Sequence, residues 1–175
     1  MEERRQPIGL HQDLEDSKQE IRLTRMLPAL DLDDPIHVEL FTVSLLDEPH
    51  YEAISYAWGN CNDTVDISLQ VARPTSSDGL RVFKVPITAS LWRALRRLRL
   101  KEQPRTLWAD ALCIDQKNIE EKNKQVPMMG EIYGAADRVN VWLGEDESPL
   151  TKLWRDSCLH DYAEGNDGWE AACAE

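Results

Sequence analysis

The stretch "RTLWADALCIDQ", Arg105 to Gln116, decides how the chain is read. Leu107, Trp108, Ala109, Ala111, Leu112, Cys113 and Ile114 form an almost continuous apolar run, the pattern of a strand buried on both faces. Asp110 interrupts the run and Asp115 ends it. A carboxylate among apolar neighbours is costly unless something pairs with it. The expectation is a strand over 106–114 in which Asp110 is largely buried. It would anchor a polar network, with Ser55 or an arginine as partner. Asp115 and Gln116 stand where such a strand emerges at its carboxyl end, the edge at which open α/β sheets bind ligands.

Downstream, "NIEEKNKQVPMMGEIYGAAD" (118–137) changes to helical spacing. Val126, Met129, Ile132, Tyr133 and Ala136 fall on one face, and Asn118 with Glu121 has the spacing of a capping box. Pro127 removes a helical hydrogen bond, so a kink or a restart near Gln125 is expected. "RVNVWLG" (138–144) is a short strand stopped by Gly144. Upstream, "ITASLWRALRRLRL" (87–100) places Leu91, Leu95 and Leu98 on one stripe with Thr88 as N-cap. Arg93, Arg96, Arg97 and Arg99 lie off that stripe, the pattern of a solvated face. Before this helix, "TVDISLQV" (64–71) and "LRVFKVPI" (80–87) read as a hairpin with a long, mobile tip. "YEAISYAWG" (51–59) and "IHVELFTVSLL" (36–46) read as strands, and "IRLTRML" (21–27) as a shorter one.

Strands come first, then helix, strand, helix, strand. The last part implies right-handed parallel crossovers. The expected fold class is α/β, with a mainly parallel central sheet flanked by helices and an inserted antiparallel β-hairpin. Residues 1–20 are polar and expected to be disordered. Residues 21–146 form the domain, and 147–175 a C-terminal helix and tail.

Composition narrows the function. Of the 175 residues 42% are apolar, enough for a core of one domain, and the net charge is −12. Such an acidic chain is a poor partner for nucleic acid or anionic membrane, whose binding rests on neutralising phosphates. The first twenty residues lack the apolar core of a secretory signal, and no apolar run approaches a membrane span. The expected location is cytoplasmic, with Cys61, Cys113, Cys158 and Cys173 as free thiols. Phosphate-loop, dinucleotide, serine-elbow and metalloprotease signatures are absent. Ser55 has no glycine elbow around it. Cys158 and His160 would give two ligands of the four that a structural zinc needs, so no metal is expected.

The motifs as a set resemble the fungal heterokaryon incompatibility (HET) domain. "YEAISYAWG", "VPITASLWRALRRLR" and "RTLWADALCIDQKNIEEKNKQVPMMGEIYGAADRVNVWLG" carry the resemblance, in order, across about residues 20–145. The family's motif polar positions fall on Ser55, Tyr56, Trp58, Asp110, Cys113, Gln116, Glu121, Gln125 and Tyr133. This chain departs from the pattern at Ile54, Ala109, Leu112, Pro127 and Asp115, where the family has Asn. The resemblance implies a cell-death effector in non-self recognition, acting through self-association or a protein partner. The family has also been likened to the flavodoxin-like TIR domain, some members of which hydrolyse NAD. That likeness implies an alternative, an NAD glycohydrolase, with NAD as substrate rather than cofactor. Asp110 and Glu121 would then be catalytic, because a carboxylate must stabilise an oxocarbenium-like transition state. Ser55, Tyr56, Trp58, Asp115 and Gln116 would bind the substrate. In "EDESPLTKLWRDSCLHDYA" (145–163) there are acids, but no Trp-x-x-Glu equivalent of the TIR enzymes.

Overall fold

The computed structural model describes residues 10–71 and 81–145. The expected hairpin tip, the C-terminal helix and residues 1–9 of the N-terminal segment lie outside them. A seven-stranded sheet organises the rest. In chain order the elements are β1 (Glu20–Met26), β2 (His37–Ser44), β3 (Glu52–Tyr56), β4 (Thr64–Val71), β5 (Arg81–Thr88), α1 (Ala89–Leu98), β6 (Arg105–Trp108), α2 (Asp110–Cys113), α3 (Ile119–Ala135) and β7 (Arg138–Trp142). The spatial order is β5-β4-β2-β1-β6-β3-β7.

The mainly parallel sheet is not what forms. Strands β6, β3 and β7 are parallel neighbours, joined by crossovers through α1 and α3. β1 then pairs antiparallel with both β6 and β2, and β4 with β5 forms the expected antiparallel hairpin. The sheet is therefore mixed, and its longest ladders are antiparallel. Hydrophobic alternation marks a strand but carries no information on the direction of its neighbour. "IRLTRML", expected as a short strand, forms β1 at the centre of the sheet. Thr24 of β1 is buried and donates its hydroxyl to the Leu107 carbonyl of β6 at 2.9 Å.

Arg105 and Trp108 have opposite parity on β6, so they project to opposite faces. Arg105 Nη1 donates to the Leu98 carbonyl at the end of α1. Trp108 meets the Tyr133 ring of α3 edge-on, with centroids 5.3 Å apart. The two long helices therefore cover opposite faces. Thr88 caps α1 by accepting the Leu91 N–H, and Leu91, Ala94, Leu95 and Leu98 turn inward. Burying each leucine contributes about 2 kcal/mol. The arginine face of α1 is only partly a solvated one. Arg99 is buried and donates to the carbonyls of Asp31, Leu32, Asp34 and Pro35, fixing the loop before β2. Arg96 donates to the Leu32 carbonyl and to Asp33.

Helix α3 runs unbroken from Ile119 to Ala135 through Pro127 and does not restart at Gln125. Pro127 and Asn123, whose carbonyl loses its bond, are both exposed. Water can satisfy the orphaned carbonyl there, which lowers the cost of the proline. Val126, expected on the apolar face, is exposed, and Gln125 is buried in its stead with its amide donating to the Glu20 carbonyl.

Among the described residues no helix is long and apolar enough to cross a membrane.

A polar network ties three strands together. Glu52 on β3 takes two hydrogen bonds from Arg105 on β6, at 3.0 and 2.6 Å, and one from Asn140 on β7 at 2.8 Å. Burial raises the pKa of Glu52, but these bonds and the guanidinium charge outweigh it and hold the carboxyl below its usual range. A depressed carboxyl contributes stability above the unfolded pKa that is lost as pH falls through that region. Glu52→Gln should therefore cost about 2–3 kcal/mol at neutral pH, the low end for a buried pair, because Glu52 is 23% exposed. The deficit should begin to shrink below the ordinary carboxyl range, near pH 4.5, and close only once pH has fallen through the depressed native value, where the parent's own carboxyl is protonated. Urea unfolding of both proteins across that pH range measures the gap, and a deficit independent of pH would contradict this account.

Candidate functional site

Strand β6 ends at Trp108, four residues into the opening stretch. Asp110 then starts α2, a single turn, so the strand expected over 106–114 covers only its first part. A short apolar run has no period that separates strand from buried turn. Here Leu112, Cys113 and Ile114 are buried by winding once rather than by extending. Asp110 thus sits at the carboxyl end of the strand, not inside it.

The Asp110 carboxylate is half-buried and engaged on both oxygens. Oδ1 accepts the Tyr56 hydroxyl at 3.0 Å and its neighbour's backbone N–H, that of Ala111, at 2.7 Å. Oδ2 accepts the Trp58 indole N–H at 2.9 Å. The network is therefore built with Tyr56 and Trp58, and Ser55 and the arginines stand outside it. Burial, then the Asp110 charge, raises the Tyr56 pKa, which keeps its hydroxyl protonated and donating. Gly59, with φ +72°, turns the chain just after Trp58. Gln116 donates its side-chain amide to the Asp110 carbonyl at 2.9 Å and so closes the loop after α2. Tyr133 donates its hydroxyl to the Ile54 carbonyl, fixing β3 against α3.

Glu121 belongs to a second network, centred on a residue that the sequence did not single out. Arg22 of β1 is buried, and its guanidinium grips Glu121 with two bonds, at 2.6 and 2.9 Å. It also donates to the Cys113 carbonyl at 3.0 Å and to the Gln12 carbonyl. Glu121 Oε1 accepts the Asp115 N–H at 2.7 Å as well. Asn118 does cap α3 by accepting the Glu121 N–H at 3.2 Å. The reciprocal half of the capping box is missing, because Arg22 takes the Glu121 side chain. One sequence signal could have found Arg22: an arginine at an inward position of an apolar strand demands a buried counter-charge.

Residues 10–12 strap across this network. Leu10 is in the core, and His11 donates its Nε2–H to the Leu112 carbonyl at 3.0 Å. Its Nδ1 faces Asp115 Oδ2 at 4.0 Å. Asp115 Oδ1 accepts the Lys117 N–H, so Asp115 shapes its own loop. The Cys113 thiol is fully buried, which pushes its pKa up to about 12 and leaves no thiolate for nucleophilic chemistry near neutrality. Cys61 is exposed, and Cys158 and His160 lie outside the described residues.

The structure thus gathers Tyr56, Trp58, Asp110 and Gln116 at the carboxyl ends of β3 and β6, with Asp115 and Glu121 in the adjoining arginine network. Both Asp110 and Glu121 spend their lone pairs on fixed internal donors. Around them apolar side chains face outward. Trp58 is 41% exposed, and Val141 and Leu143, on the neighbouring β7 and just past it, are 49% and 50% exposed.

The family model for the heterokaryon incompatibility protein (HET) matches residues 51–171. "Heterokaryon incompatibility protein 6, OR allele" of Neurospora crassa is 38% identical over 136 residues, a match that takes in 75% of this chain. The chain spans about a fifth of the length of that relative, 20%. No solved structure matches the chain.

Two predictions follow from the networks. Asp110→Ala strands the Tyr56 hydroxyl and the Trp58 indole. The expected loss is about 1.5–3 kcal/mol, the scale of hydrogen bonds to a charged group, with the exposed indole keeping it from being larger. Urea unfolding followed by tryptophan emission tests this, and unchanged stability would show the network to be idle. The second concerns His11. Burial, helped by Arg22, lowers its pKa against the opposing pull of the Leu112 carbonyl, Asp115 and Glu121. A histidine held neutral in the fold contributes stability above about pH 6.5, its unfolded value, and loses it as pH falls below that. His11→Gln should flatten the fall in melting temperature between neutral and mildly acidic pH. An unaltered slope would mean that other groups carry it.

Proposed function

The chain belongs to the heterokaryon incompatibility family, and we propose that it serves in fungal incompatibility as an effector module that works by binding protein, a further copy of itself or a different partner. The observation that carries this reading is the contrast at the carboxyl rim of the sheet. The two carboxylates best placed for chemistry, Asp110 and Glu121, are each held by three internal hydrogen bonds. The apolar side chains beside them, Trp58, Val141 and Leu143, are the groups presented outward. Exposed apolar clusters bordered by polar residues mark protein-binding surfaces. A glycohydrolase needs instead a carboxylate free to meet a developing oxocarbenium ion. The incompatibility role is supported by the family and by the name of the Neurospora crassa relative, which speaks for that protein; killing as its outcome is part of the proposal.

Expression in a fungal host, scored for growth arrest or death, tests the proposal. Leu143→Lys alters the rim and leaves the Asp110 and Glu121 networks in place, so it should abolish toxicity without lowering the melting temperature. Glu121→Gln keeps one acceptor for Arg22 but removes the charge, and it should reduce toxicity only as far as it reduces stability. Purified protein incubated with NAD and analysed by chromatography provides the opposing readout. Release of nicotinamide that disappears in Asp110→Asn would replace the association reading with a nucleotide-cleaving one.

A further inference from the structure

We propose that the outer edge of β7 is a homotypic docking edge, at which a second copy of this chain adds its own β7 in antiparallel, two-fold pairing. The inference rests on the association reading above and assigns that association a surface. It starts from a difference between the two edges of the sheet. An unpaired edge strand is a template for another strand, and soluble proteins block it with proline, lysine or inward charge. The β5 edge is blocked in this way. Pro86 lies within an unbroken ladder to β4, so its missing N–H falls on the outer side. Lys84 lies two residues earlier and donates to Ser68. Beyond Arg138, its first residue, the β7 edge has no such device. From Val139 to Leu143 the sequence is Val-Asn-Val-Trp-Leu, with neither proline nor charge. Among the described residues no strand pairs with its outer side.

As far as Glu145, the end of the described residues, the chain turns away from that edge. Gly144 takes φ +104° and ends the strand direction. Glu145 then reaches Arg93 at 3.8 Å and Arg97 at 3.4 Å, both on α1. The backbone therefore leaves β7 across the α1 face instead of folding back along the edge. A second copy fits the edge through its own sequence. Two-fold pairing about Asn140 sets Val139 opposite Val141 of the second copy, twice, and Asn140 opposite itself. Arg138 falls opposite Trp142. No like charges meet, and β-branched pairs on one face are the favourable cross-strand combination. The charge of −12 on each copy opposes encounter, so the dimer should be weak at low ionic strength and strengthen with salt.

Sedimentation velocity of the full 175-residue chain over a concentration series, at low and high salt, tests the proposal. The expected result is a reversible monomer–dimer equilibrium favoured by salt. Val141→Lys should weaken dimerisation by about tenfold or more, through two lost valine pairs and an edge lysine at each copy. Val82→Lys, on the blocked β5 edge, should leave it unchanged. Both sites are exposed, and melting curves matching the parent verify that the variants fold. Amide hydrogen exchange on the parent gives a measurement free of substitutions, in which residues 139–143 gain protection as concentration rises. A parent that stays monomeric throughout, as it would if the C-terminal segment or another protein covered β7, overturns the proposal. So does a Val141→Lys protein that dimerises like the parent. Toxicity scored in parallel separates the two readings. A monomeric Val141→Lys protein that still kills removes self-association as the mechanism of killing and leaves the edge pairing. A monomeric parent that kills removes the edge pairing and leaves the family role.

Discussion

The ion pair between Arg22 and Glu121 is the constraint on which the candidate site depends. A guanidinium this deeply buried is tolerable only if its charge and most of its donors are met. Arg22 meets that demand with three pieces of chain at once: the strap at Gln12, the turn of α2 at Cys113, and the first turn of α3 at Glu121, leaving its Nε without a partner. Glu121 in turn holds the backbone at Asp115. The loop from Ile114 to Asn118 is therefore anchored by a charge pair in addition to its own hydrogen bonds, from Lys117 N–H to Asp115 and from Gln116 to the Asp110 carbonyl. Removing either partner would leave the other as an uncompensated buried charge, so the two residues are a unit.

Above that unit sits a site whose polar groups face one another. Tyr56, Trp58 and Gln116 converge on Asp110, whose carboxylate is filled and whose carbonyl holds the loop. Such an arrangement sets the position of the Trp58 ring while leaving its face in solvent. An aromatic ring on a fixed stem gives contact area at low cost in conformational entropy.

Much of this was legible in the sequence, and the failures have separable causes. Alternation located β2 and β4, hairpin pairing located β5, the stop at Gly144 helped locate β7, and the leucine stripe with Thr88 located α1 and its start. The parallel trio β6-β3-β7 followed from the order of strands and helices. The direction of β1 did not, since pairing direction leaves no trace in a strand's own pattern. The turn at Asp110 was hidden because a run buried on all sides has no period. Gln125 and Val126 exchanged roles, because a buried carbonyl at Glu20 needs a donor more than the helix needs another aliphatic contact. Asp110 was marked correctly as a carboxylate that must be paired. Its partners were misjudged because a strand residue and a helix-start residue aim in different directions. Arg22 passed unnoticed, as arginine is usually a surface residue, and only the fold reveals that nothing but Glu121 can neutralise it there.

The place of β1 bears on what counts as the domain. The family's match begins at Tyr51, yet two strands that precede it, β1 and β2, stand between β4 and β6 in the middle of the sheet. A chain cut at that boundary would be left with two separate pieces of sheet, the β4–β5 hairpin and the β6-β3-β7 trio, with no strand to join them. It would also keep Glu121 and lose the arginine that neutralises it. The segment matched by the family is thus smaller than the sheet to which it belongs. A recombinant fragment or a gene fusion that starts at Tyr51 is expected to lack the strands that join the sheet and the arginine that neutralises Glu121.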